Sequence, residues 1–132
     1  TVDTIHDNGA YTSWGATTPF VMMQTFSSLY RVPNCKYLTR AVYTNNPYAG
    51  AMRGYGNLQA TFAVEGAVDL LAAKLGIDPL DLRLKNAQEA GEETGQGMRL
   101  TTCGLKDCLA IAAERSGWRE KRGRRLVLGR DR

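Results

Sequence analysis

The chain has 132 residues, of which 43% are hydrophobic and 23% are charged, a composition that is ordinary for one soluble domain and argues against disorder over the whole length. No apolar run approaches the ~20 residues of a membrane span, and the first residues lack the basic and apolar regions of a signal peptide. We therefore expect a cytoplasmic protein with no membrane partner.

The net charge of +4 is concentrated at the C-terminal end. Residues 115–132 hold eight basic and two acidic side chains, whereas residues 1–114 carry a slight excess of acidic groups. A basic tail can bind nucleic acid, but Trp118 is the one aromatic residue in this tail, so it lacks a stacking platform. We expect no nucleic-acid partner, and we predict a partial domain over residues 1–117 followed by a poorly ordered basic tail over residues 118–132.

The N-terminal part is predicted to contain two strands and one helix. Thr1–Ser13 is a strand or the end of a hairpin, because Asn8-Gly9 is a tight-turn dipeptide. Thr18-Pro19 can serve as the N-cap and the first helical residue of a helix over Phe20–Tyr30. The aromatic and β-branched residues of Cys35–Thr44 predict a second strand.

The C-terminal part is predicted to be mainly helical. Apolar residues recur at the helical period over Asn57–Leu75, and Gly76 is a typical helix stop. Asp78–Ala87 begins with a helix N-cap followed by proline, and it is separated by the hydrophilic loop 88–102 from a last helix over residues 104–116. Helices and strands without a regular βαβ alternation predict an α+β fold, with packed helices on a mixed sheet.

Few side chains suggest catalysis. The three cysteines show no C-x-x-C spacing, the lone His6 is far from them in sequence, and no G-x-S-x-G motif is present. Glu65 and Asp69 lie one helical turn apart, and we interpret them as a solvated face rather than an internal acid pair. We expect neither a metal ligand nor a catalytic residue in this chain.

A glycine-rich turn, Asn45–Asn57, connects the second predicted strand to the long helix. It contains three glycines, Gly50, Gly54 and Gly56. Glycine permits positive φ and close approach of another molecule, and the following helix offers unpaired N–H groups, so the turn is a candidate site for an anionic or strongly accepting group. It matches neither a Walker loop nor the dinucleotide fingerprint. The alternative is a plain connection in which Tyr55 packs and Arg53 is solvated.

The residues around this turn resemble a known enzyme family. The matching stretches are Asp7–Tyr11, Tyr30–Asn34, Tyr43–Glu65 and Leu75–Ala87. They are similar to the large, molybdopterin-binding subunit of the xanthine dehydrogenase and aldehyde oxidase family, and the similarity runs to about Arg122. Within the family, the sequences of Tyr11–Gly15 and Gly50–Gly56 most resemble the 4-hydroxybenzoyl-CoA reductase branch.

The resemblance implies roles for the turn. The cofactor-binding residues would be Gly50, Ala51, Met52, Arg53 and Gly54, which would contact molybdopterin. Tyr55 would lie against the substrate. Members that oxidise carbon monoxide carry cysteine immediately after this arginine, and Gly54 stands there in this chain, which argues against that activity.

The resemblance also implies partners. The remainder of the large subunit would complete the site, and iron–sulfur clusters and FAD would lie on partner subunits or domains. We find no counterpart of the family's catalytic glutamate, so the chain is expected to be an inactive piece of the catalytic subunit of a molybdenum hydroxylase, a molybdenum-dependent oxidoreductase. The alternative is a stand-alone binding or interaction module without the chemistry. Exposed apolar faces would favour self-association in either case.

Overall fold

The structure, a computed structural model, describes residues 1–122. The elements in chain order are β1 (Val2–Gly9), a 3-10 turn (Trp14–Thr17), α1 (Thr18–Phe26), β2 (Tyr37–Tyr43), α2 (Asn57–Leu75), α3 (Pro79–Asn86), α4 (Leu105–Ser116) and α5 (Trp118–Lys121). None of the helices in this range combines the length and the apolar character that a bilayer crossing requires.

The two strands pair in parallel, and α1 lies in the connection between them. The register runs from Val2 opposite Tyr37 to Asp7 opposite Val42, with an irregularity before Gly9. The strand predicted at the N-terminus is confirmed, but its hairpin alternative is wrong, because the chain continues from Gly9 into the 3-10 turn instead of folding back beside β1. Helices combined with this small sheet confirm the predicted α+β class.

The helices begin and end largely where local signals predict. The bounds of α2 agree with the prediction, and Gly76 follows it with a φ of +66°. The Asp78 carboxylate caps α3 by accepting the Leu80 amide at 2.7 Å. The first helix is shorter than predicted, since α1 stops at Phe26 and Tyr30 instead forms an isolated antiparallel bridge with Ala87.

The apolar core of the described residues is small. It consists of Tyr30, Ala60, Ala72, Leu82 and Ala87. Helix α4 buries no residue, and α2 leaves large apolar side chains in contact with solvent, with Phe62 86% exposed. Such apolar surface is typical of a segment that packs against further protein.

A polar network joins α2 to α3. The Arg83 side chain, which is only 13% exposed, donates from Nε to Glu65 at 2.7 Å and from its terminal NH1 nitrogen to Asp69 at 2.8 Å. The Tyr30 hydroxyl donates to Glu65 at 2.8 Å. The interpretation of these two residues as a solvated face is therefore wrong for Glu65, which is 29% exposed and paired with Arg83, whereas Asp69 is 60% exposed. The arginine that pairs with both lies on α3, which no periodicity within α2 reveals.

The start of the predicted basic tail packs against α3. Trp118 donates from its indole N–H to Asp78 at 3.2 Å, Arg119 pairs with Asp81, and Arg122 pairs with Asp78 at 3.0 Å. The hydrogen bond from Arg119 holds the pKa of Asp81 below its ordinary value. The rest of the tail, residues 123–132, lies outside the described residues, so the boundary at residue 118 and the poor order of the tail stay predictions.

Candidate functional site

The candidate site lies where both strands end. Because β1 and β2 are parallel, their carboxyl ends meet at one edge of the sheet, and the chain leaves each strand toward the N-terminus of a helix. Residues 10–17 lead from β1 to α1, and residues 44–56 lead from β2 to α2. Ligands of parallel sheets commonly bind in loops at this edge.

Main-chain hydrogen bonds attach the second connection to the first. They run from Thr44 to Gly9 (3.1 Å), from Ala10 to Asn46 (3.0 Å), from Ala49 to Asn8 (3.0 Å) and from Gly15 to Ala49 (3.3 Å), each donor named first. Contact is close, since a Cβ on Gly9 would stand 2.3 Å from the Pro47 carbonyl oxygen. Residues 44–49 therefore continue the pairing of the sheet beyond its strands.

Asp7 adds side-chain bonds at the same place. Its carboxylate accepts from the Thr44 hydroxyl at 2.6 Å, from the Asn46 amide group at 2.6 Å and from the Gly9 amide at 2.9 Å. These hydrogen bonds hold the pKa of Asp7 below its ordinary value, and the bond from Thr44 has the largest effect. The ionised carboxylate thus accepts from all three donors.

The predicted cofactor residues 50–54 form a bend that is exposed except at Gly54, which is half-buried. Among residues 1–122, none of the five main-chain amides of this bend donates a hydrogen bond. Met52 is 81% exposed, and the Arg53 side chain is exposed without a hydrogen bond or ion pair to the described residues. The bend thus offers five main-chain donors and one cation to whatever approaches it.

The three glycines have different structural reasons. A Cβ on Gly50 would meet nothing within 4 Å, and this residue does not have a positive φ. Gly54 and Gly56 have φ values of +94° and +101°, and between them Tyr55 is the one non-glycine residue of the described chain with positive φ, at +44°. No contact or backbone angle within residues 1–122 therefore requires glycine at position 50. Glycine is needed at positions 54 and 56 because the turn has positive φ there.

Tyr55, the predicted substrate residue, is half-buried. Its hydroxyl donates to the Trp14 carbonyl oxygen at 2.7 Å and so ties the two connections together. A packed Tyr55 and a solvated Arg53 are features of the plain-connection alternative. The five unpaired amides and the open space at Gly50 are not required by a plain connection.

Sequence reasoning missed the residues that support the bend. Asn8 is 4% exposed, and its Oδ1 has no partner within residues 1–122. A Cβ on Gly15 would stand 2.6 Å from that oxygen and 2.7 Å from the Ala49 Cβ. The only signal was the run of short polar residues Asp7–Gly9, which predicts a turn but not what the turn contacts.

A separate cavity of about 580 Å³ lies between the α1–β2 connection, α2 and α3. Its lining is mainly apolar and includes Phe26, Val64, Val68 and Leu82. None of the predicted site residues contributes to it. Within the described residues, no group of three or more histidine, cysteine, aspartate or glutamate side chains is placed to hold a metal ion.

Comparison with known proteins defines the class. A family model of the molybdopterin cofactor-binding domain matches residues 1–87. The chain is 39% identical over 124 residues to the xanthine dehydrogenase molybdenum-binding subunit of Escherichia coli O157:H7, which covers 92% of this chain and 16% of that protein. It is 38% identical over 107 residues to the aldehyde oxidoreductase of Megalodesulfovibrio gigas, covering 81% of this chain and 12% of that one.

A solved structure shows the same arrangement. The aldehyde oxidoreductase from Desulfovibrio desulfuricans ATCC 27774 superposes with a TM-score of 0.77 at 29% identity, over 89% of this chain and 13% of that one. The chain belongs to the molybdopterin cofactor-binding domain family. The resemblance to the xanthine dehydrogenase and aldehyde oxidase family is thereby confirmed, and the chain spans about 16% of the length of the Escherichia coli subunit. The 4-hydroxybenzoyl-CoA reductase branch stays a prediction.

Proposed function

We propose that this chain is the part of a molybdenum-dependent oxidoreductase subunit that presents residues 50–54 to the molybdopterin cofactor. The observation that carries the proposal is the exposed bend with five main-chain amides that have no acceptor among residues 1–122. Main-chain N–H groups grouped on a bend are suited to bind an anionic, oxygen-rich group. The residues present therefore fit the cofactor of the family.

Each residue of the bend has a distinct part in the proposal. Gly50 admits the ligand because no side chain fills the space beside its backbone. The amides of residues 50–54 donate hydrogen bonds, and the unpaired guanidinium of Arg53 complements negative charge. When bound, the molybdenum cofactor supplies transfer of an oxygen atom and an electron pair between substrate and enzyme.

Tyr55 contributes mainly through its ring. Because its hydroxyl is donated to Trp14, we assign the face of the ring, not the hydroxyl, to the predicted contact with substrate. The same hydrogen bond holds the C-terminal end of the bend against residues 14–17. In this way one residue both orients the bend and borders the substrate.

The remaining parts of the enzyme lie outside this chain in the proposal. The rest of the large subunit supplies the other cofactor contacts and the catalytic base, and it covers the apolar surface of α2. Iron–sulfur and flavin subunits or domains exchange electrons with the molybdenum site. A substrate of the aromatic thioester class follows if the 4-hydroxybenzoyl-CoA reductase resemblance is correct.

Gly50 provides a sharp test in the complete subunit that contains this segment. A Cβ at position 50 would meet nothing within 4 Å among residues 1–122, so we expect Gly50→Val to leave thermal stability nearly unchanged. The variant should contain several-fold less molybdenum and pterin per purified subunit, because the new side chain blocks approach of the cofactor. Gly66→Ala, at another open glycine but on α2, is the matched control and should keep normal cofactor content.

Two outcomes would reject the proposal. One is a normal molybdenum and pterin content in Gly50→Val. The other is an unmodified complete subunit that purifies without molybdenum or pterin, which would favour the non-catalytic interaction module. Arg53→Met should also reduce cofactor content without lowering stability, since its side chain makes no ion pair within residues 1–122.

A further inference from the structure

We infer that Asp7 is a positioning residue for the bend 50–54, an inference that rests on the function proposed above. Asp7 lies at the end of β1 and is separated from the bend by more than forty positions in sequence. It touches neither the bend nor, in the proposal, the cofactor. It binds Thr44 and Asn46, which precede the bend in the chain.

Both carboxylate oxygens of Asp7 are used. One accepts from the Thr44 hydroxyl and the Gly9 amide, and the other accepts from the Asn46 side-chain amide. The Thr44 hydroxyl oxygen in turn accepts the Asn46 main-chain amide at 3.2 Å. An asparagine at position 7 would offer a single acceptor oxygen and would direct an NH2 group at one of these donors.

The bend depends on such attachment because its own hydrogen bonds are few: among residues 1–122, its Met52 and Gly54 carbonyl oxygens accept the amides of Tyr55 (2.7 Å) and Asn57 (2.8 Å). With no acceptor for its five amides in the described chain, its place relative to the sheet is set at its two ends. Residues 44–49 carry the first attachment, which combines the Asp7 bonds with the main-chain bonds to residues 8–10. The Tyr55–Trp14 bond carries the second. Loosening either end moves the amides.

Asp3 is a matched control on the same strand. It is an exposed β1 carboxylate that also accepts from a β2 residue, Arg40, at 2.8 and 3.1 Å. It lies at the opposite end of the pair, beside Leu38 in the register, far from the bend. A general weakening of the sheet would affect Asp3→Asn and Asp7→Asn alike.

The test uses the complete subunit and two readouts besides activity. Asp7→Asn and Thr44→Val should each raise roughly tenfold the hydrogen-exchange rates of the bonded amides of Ala10 and Ala49, which attach residues 44–49 to residues 8–10. Each variant should also lower molybdenum and pterin content several-fold. Thr44→Ser keeps the hydroxyl and should restore near-normal values. The double variant Asp7→Asn/Thr44→Val should show less than the sum of the two single effects, because both substitutions affect the Thr44–Asp7 hydrogen bond, whereas only Thr44→Val also removes the acceptor of the Asn46 amide.

The outcomes separate this inference from the proposed function. Normal exchange of the Ala10 and Ala49 amides in Asp7→Asn, or an equal change in Asp3→Asn, would overturn the positioning role. Reduced cofactor content in Gly50→Val together with normal content in Asp7→Asn would reject the role of Asp7 alone. Normal content in Gly50→Val would reject the proposed function itself. If Asp7→Asn does not fold, Thr44→Val against Thr44→Ser decides the question.

Discussion

Gly56 lies so close to Thr18 that a Cβ at position 56 would stand 2.7 Å from the Thr18 carbonyl oxygen and 2.9 Å from the Met22 Cγ. The N-termini of α1 and α2 therefore touch at a point where only glycine fits. This contact brings the two connections at the sheet edge together. Of the three glycines in the turn, Gly56 is required by packing, whereas a Cβ on Gly50 would meet nothing within 4 Å.

Gly56→Ala should destabilise the chain by about 2–4 kcal/mol, because it combines a Cβ at a φ of +101° with a clash against main chain. Gly66→Ala, in the middle of α2 with open space around it, should instead stabilise by about 0.5–1 kcal/mol. Urea unfolding of both variants measures the two free energies. A neutral Gly56→Ala would contradict the close contact between α1 and α2.

Arg83→Met should destabilise by about 2–4 kcal/mol, because it leaves Glu65, whose side chain is only 29% exposed, without the cation that pairs with it. Arg40→Met is the matched change at an exposed pair, where Arg40 is 53% exposed, and it should cost less than about 1 kcal/mol. Chemical denaturation compares the two. Equal losses would show that burial does not distinguish these ion pairs.

Tyr30 should make stability fall at high pH. Burial, and then the hydrogen bond to Glu65, raise the pKa of Tyr30 from 10.0 to about 12. The folded chain therefore holds this proton more tightly than the unfolded chain, so the stabilisation is complete below pH 10 and is lost as the pH rises toward 12. Unfolding free energies measured between these values should fall less steeply in Tyr30→Phe. Parallel curves for both chains would contradict the raised pKa.

Asp78 should control the attachment of α5. Asp78→Asn retains an oxygen for the N-cap of α3 but removes the charge that faces Arg122, whereas Asp78→Ala removes both. We expect Asp78→Ala to cost about 1 kcal/mol through the lost cap, and both variants to increase the solvent exposure of Trp118. Tryptophan fluorescence in a Trp14→Phe background reports Trp118 alone. An unchanged emission maximum in both variants would show that α5 is held by other contacts.

Local signals explain the parts of the fold that could be predicted. Gly76 and Gly117 end α2 and α4 with positive φ, and Asp78 begins α3 with a side-chain cap, so each boundary depends on residues adjacent in sequence. The parallel pairing of β1 with β2 could not be predicted from such local signals. It depends on residues more than thirty positions apart and on the path of α1 between them.

The candidate site shows the same division. The amino-acid sequence alone determined the helices, a glycine-rich turn and membership of the family. These features depend on residues that are neighbours in sequence or on short sequence motifs. Only the tertiary structure decided that Gly56 is a packing residue, that Glu65 pairs with Arg83 and that Asp7 holds the entry to the bend. The physical reason is that each of these contacts joins elements distant in sequence, and geometry between elements is not contained in the periodicity of either one.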